Sequence, residues 1–155
     1  MIYPMIFAIL FLGAIWCAVM MSVADFRRRI IPDVYLFPFL LIGLVLTTFW
    51  GWPTDILDGA IGAVGGYAIT TLVGFLFARA RRRGADKYPP IGMGDIKLVG
   101  AGGLWLGPMG LDIAILAACV TGIIWARRKK AKYIPFAPFF FIGVIIALII
   151  RWILI

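Results

Sequence analysis

The chain has no histidine and no glutamate, only two cysteines, and few charges: 14% of its 155 residues are charged. Without histidine a His/Cys zinc site cannot be assembled. Cys17 and Cys119 each lie deep inside an apolar run, so both read as packing residues rather than as a disulfide. The first 24 residues carry no charge and hence no basic n-region, and they show no clear small-residue cleavage site. They are expected to be a retained first helix rather than a removable signal.

What fills the chain is apolar. Hydrophobic residues make up 64%, aromatics 15%, and the mean hydropathy is +1.07. This composition excludes both an ordinary soluble globule and a disordered chain. A single domain over residues 1–155 is expected.

Lysine and arginine number 15 against 7 acids, for a net charge of +8. The cations gather in three knots: Arg27 to Arg29, Arg79 with Arg81 to Arg83 and Lys87, and Arg127 to Lys130 with Lys132. Each knot abuts an apolar run, as juxtamembrane positive charge does. No basic stripe remains to track a phosphate backbone, so no nucleic-acid partner is expected, and the lipid bilayer is the implied partner.

The fold class read from this pattern is all-α, a polytopic integral membrane protein with six transmembrane helices and both termini outside. Four charge-free stretches are long enough to span. The stretch from Leu98 to Ala126 is either one overlong helix or two short ones turning near Gly107 and Pro108. Two helices place all three knots on one face, which the positive-inside rule favours. The fourth span then runs roughly from Gly94 to Leu106 and is short. Gly62 and Gly66, and Gly103 and Gly107, are spaced four apart, as in close helix crossings in lipid.

All seven acids are aspartates. Asp55, Asp58 and Asp112 fall at the outer face, where capping accounts for them, and Asp86 falls in a polar loop. Asp25 and Asp95 are less easily explained. Asp25 is the first charge after a long apolar run, and Asp95 closes Gly92-Met93-Gly94-Asp95, where two glycines permit tight backbone geometry. Both sit at the inner boundary, where ionisable groups are candidates for function. Two carboxylates brought together share a proton, so one serves as general acid and the other as general base toward water. The competing readings are an ion pair of Asp25 with Arg27 to Arg29 and an N-cap role for Asp95. Pro32 fixes a turn and Asp33 is expected to cap the second span, with a secondary role in orienting the site. Lys97, two residues past Asp95, does not face it on a helix and is expected to reach headgroups or other loops.

Three segments together carry a family resemblance: Asp25 with Ile31-Pro32-Asp33, Gly92-Met93-Gly94-Asp95-Ile96-Lys97-Leu98, and Ile134-Pro135-Phe136-Ala137-Pro138-Phe139. In these the chain resembles the type IV prepilin peptidases, bacterial members of the GxGD membrane aspartic proteases. The resemblance implies a membrane endopeptidase of the bacterial inner membrane that cleaves the leader of a prepilin or pseudopilin at the cytoplasmic face. It implies Asp25 and Asp95 as the catalytic pair, Gly92 and Gly94 as residues shaping the Asp95 loop, and no metal or organic cofactor. Larger family members carry paired Cys-x-x-Cys motifs and also methylate the new N-terminus. This chain has no such motif, so the likeness is to the short Tad/Flp pilus form and no methylation is expected. Without the resemblance, a non-catalytic membrane scaffold of a pilus or secretion machine would be the first reading.

Overall fold

The computed structural model describes residues 2–81, 91–130 and 134–154. Among the described residues it is all-helical, with five helices: α1 Ile2–Arg28, α2 Asp33–Trp50, α3 Ile56–Arg81, α4 Met93–Lys129 and α5 Phe136–Leu154. All five are long and apolar enough to cross a membrane. The expected Asp86 loop and the cations Arg82, Arg83, Lys87 and Lys132 lie outside the described residues.

Helix ends follow the local chemistry. α1 stops at its basic knot, where Arg29 turns left-handed at φ 55° and its N–H donates to the Asp25 carbonyl at 2.9 Å. Pro32 is extended (φ −72°, ψ 127°) and is itself the N-cap of α2. Its carbonyl accepts from the Tyr35 and Leu36 amides at 3.1 and 3.2 Å. Asp33 is therefore the first helical residue and not the cap expected for it, because the proline already fixes the entry angle. α2 ends on Gly51 in the left-handed region (φ 59°), with its N–H on the Leu46 carbonyl.

The six expected helices are five continuous elements, because the fourth and fifth are joined within α4. That element is broken at Gly107, whose φ of 68° and ψ of 179° no helix contains, and Pro108 follows immediately. Its two arms fold back on each other. A Cβ placed on Gly66 would stand 2.6 Å from a Leu111 methyl and 3.3 Å from a Val99 methyl. Those two residues would lie about 18 Å apart along a straight helix.

Packing rests on small residues, as it must where the surroundings are as apolar as the helices themselves. Gly62 of α3 abuts the Gly103 carbonyl and Gly107, and Gly59 abuts the Leu104 carbonyl. Gly143 of α5 abuts Ala114 on the second arm of α4. Gly43 of α2 makes room for Trp105, whose Nε1 donates to the Phe39 carbonyl at 3.2 Å and whose ring stacks on Phe39. α4 is thus the hub, touching α2, α3 and α5, while α1 packs on α2 and α5. Outward faces are apolar: Ile9, Val64, Leu116 and Ile145 are all exposed.

Candidate active site

Asp25 lies one turn before the end of α1 and is 5% exposed. Its Oδ2 accepts a 2.7 Å hydrogen bond from the Ala137 amide, with the Phe136 amide beside it. These are first-turn amides of α5, which have no partner within their own helix and lie at its positive end. Pro135 precedes the helix and starts it there. The carboxylate is thus held by backbone that no substitution in α5 other than proline removes directly.

Asp95 is the third residue of α4. Gly92 is the N-cap of that helix, extended at φ −68°, ψ 144°, and it makes no side-chain cap bond. The Asp95 carboxyl turns back to the Gly92 amide instead, the reciprocal half of a capping box. The two glycines of the motif have separate reasons. A Cβ on Gly92 would stand 3.3 Å from Asp95 Oδ2, and one on Gly94 would stand 3.1 Å from the Ile31 Cβ. Gly92 leaves the carboxylate free to fold back, and Gly94 lets α4 lie against the loop that follows α1.

Asp25 and Asp95, on different helices, line one cavity of about 550 Å³. The two carboxylates are close enough to act on each other electrostatically. Arg29, Gly92 and Gly94 share the wall, and Ile30, Ile31, Met93, Ile134 and Phe136 make the rest of it apolar. Among the described residues no serine, threonine, cysteine or lysine lines it. The described wall therefore offers two carboxylates, one guanidinium and whatever water enters, and at about 30 Å³ per molecule there is room for several. Among the described residues no three metal-binding side chains gather.

The remaining residues singled out from the sequence stand behind the cavity rather than in it. Lys97 Nζ donates to both Asp33 oxygens, at 3.0 and 2.8 Å. This pair ties the start of α2 to the second turn of α4, with Pro32 setting the approach. Lys97 thus reaches the first residue of another helix. The Ala137 and Phe136 amides, which hold Asp25, are groups that residue-type reasoning missed. Their segment, Ile134 to Phe139, stood out only through the resemblance and through Pro135, which marks a helix start just after a basic knot.

A family model described as the type IV leader peptidase family matches residues 5–127, a stretch that contains both aspartates. The chain belongs to the type IV leader peptidase family. Among curated members, a prepilin leader peptidase/N-methyltransferase of Escherichia coli (strain K12) is 33% identical over 153 residues, 94% of this chain and 64% of that protein. Proteins of the same description from Burkholderia pseudomallei (strain 1026b) and Pseudomonas aeruginosa are 32% and 31% identical, over 79% and 86% of this chain. The chain spans 40% and 47% of those two relatives, so the shared region is only part of each. No solved structure matches it.

Proposed function

We propose that the chain is a membrane aspartic endopeptidase that removes the leader peptide from prepilin-like proteins, those of Flp/Tad pili in particular. The observation that carries this reading is the single cavity shared by Asp25 and Asp95, seventy positions apart in sequence. One carboxylate accepts a proton from water as that water attacks the scissile carbonyl, and the other donates a proton to the carbonyl oxygen. The tetrahedral species then collapses, the C–N bond breaks, and the leaving nitrogen takes up a proton. No covalent intermediate forms, in keeping with a wall whose described residues offer no serine, threonine, cysteine or lysine. The pair titrates as a unit, so neither residue is assigned the resting proton. Family membership and the relatives' description as prepilin leader peptidases support the substrate class.

The proposed setting is the bacterial inner membrane, crossed six times with both termini outside. α4 supplies two of the crossings, one by each arm. The reversal at Gly107 supports this, as does Trp125 near the far end of α4, which packs edge-on against Phe26 beside Asp25. All three basic knots then lie with the aspartates on the cytoplasmic side. Co-expression with a candidate prepilin, followed by N-terminal sequencing of the product, tests the function. Asp25→Asn and Asp95→Asn are each expected to leave the protein inserted and the leader uncut. Continued processing by both variants would remove the assignment.

A further inference from the structure

At the end of the bundle away from the two aspartates, a cavity of about 340 Å³ lies between the start of α3, the Gly107 turn and the last turns of α5. Most of its wall is apolar, but Thr54, Asp58 and Arg151 also line it. Thr54 is 1% exposed, and its Oγ1 has no hydrogen-bond partner. A buried hydroxyl is seldom left so. Arg151 and Asp58 face the same space with opposite charges, and no ion pair joins the two. Thr54 Oγ1 is enclosed behind the wall, while a half-buried cation, Arg151, and an exposed anion, Asp58, face the hollow together, an arrangement that suits a dipolar ligand.

The space continues sideways. A second hollow of about 560 Å³ shares Pro53, Leu148 and Arg151 with the first and is otherwise lined by Gly51, Trp52, Ile145, Ile149 and Trp152. Arg151 thus stands where the first hollow opens into a groove running along α5. The two indoles flank it, a side chain suited to the headgroup level of a bilayer.

We propose that this double hollow is a binding site for a phospholipid with an ethanolamine head. The phosphodiester accepts from the Arg151 guanidinium, the primary ammonium donates to Asp58, and an acyl chain lies in the groove of Trp52, Ile145 and Ile149. Charge complementarity selects this head over the others. A glycerol head brings the phosphate and leaves Asp58 facing an anion with no cation between them. A choline head carries the charge but has no N–H to donate.

Native mass spectrometry of the full, delipidated chain tests the proposal, using an equimolar mixture of phosphatidylethanolamine, phosphatidylglycerol and phosphatidylcholine. The wild-type chain is expected to retain the ethanolamine lipid preferentially. Arg151→Gln is expected to weaken retention about tenfold, the loss of one charge-assisted hydrogen bond. Asp58→Asn is expected to keep lipid binding while losing the preference for ethanolamine over glycerol. Glycerophosphoethanolamine, the same head without chains, should compete poorly. Equal retention of the three lipids by the wild type, undiminished retention by Arg151→Gln, or full competition by the chainless head would each overturn the proposal. Should Arg151→Gln fail to fold, the head-group preference of Asp58→Asn decides the matter alone.

Discussion

Gly103 is the position where one added methyl group should cost most. It lies where the first arm of α4 crosses α3, and a Cβ there would be driven into the Gly62 carbonyl group and stand 2.8 Å from the Ala63 nitrogen. Every one of those neighbours is backbone and cannot rotate aside. Recovering ordinary contact, about 3.5 Å, requires the two helices to part by on the order of 1 Å along their tightest line. Overpacking of this kind costs about 1–3 kcal/mol, and with rigid neighbours the upper figure applies. That is about a hundredfold in the ratio of folded to unfolded protein. Gly65 is the control: on α3, the partner helix in this crossing, a Cβ there meets nothing within 4 Å. Alanine at Gly65 should be neutral or gain up to about 1 kcal/mol from helix propensity. The assay is the unfolding midpoint of each variant in one detergent, read by tryptophan fluorescence, with leader processing measured in parallel. Gly103→Ala should lose stability, and with it processing, since the same arm carries Asp95. A Gly103→Ala midpoint equal to wild type, or a Gly65→Ala midpoint just as low, would refute the close-crossing argument.

Reporter fusions placed after Met109 and after Lys130 should report opposite sides of the membrane; the same side for both would mean that α4 crosses once. Gly92→Ala forces the Asp95 carboxylate to move by a few tenths of an ångström, so processing should fall several-fold, by less than about 1.4 kcal/mol of barrier, with the unfolding midpoint unchanged. A fall in midpoint matching the fall in processing would show the effect to be structural instead. The Lys97–Asp33 pair is 35% and 48% exposed, so Lys97→Met should cost no more than about 1 kcal/mol. Adding Asp33→Asn to it should cost little further, and a larger or additive loss in midpoint would show that each residue acts apart from the other.

The parts of this fold legible in sequence are those set by local composition. Apolar runs bounded by basic knots marked the helices, and the Gly107-Pro108 pair marked the break in α4 because both residues act on their own backbone. The glycine spacings were visible, but which helix they met was not: Gly62 finds Gly103 across forty-one positions, and only the folded chain pairs them. The same holds for Asp33. Its position before an apolar run suggested a cap, while its actual partner, Lys97, lies sixty-four residues away. Asp25 and Asp95 stood out because a charge at the edge of a long apolar run is conspicuous in any context. The amide of Ala137 did not, since every residue but proline has one and nothing in the side chain announces its use.

The first arm of α4, Met93 to Leu106, rises only about 21 Å, against about 30 Å of bilayer hydrocarbon. The hollow above Gly107 and the hollow below Asp95 lie at the two ends of that shortfall. Seen this way they are one feature, a thin place in the barrier. The proposed hydrolysis consumes water, and a helix short by less than about two turns shortens the path that solvent travels to the carboxylates.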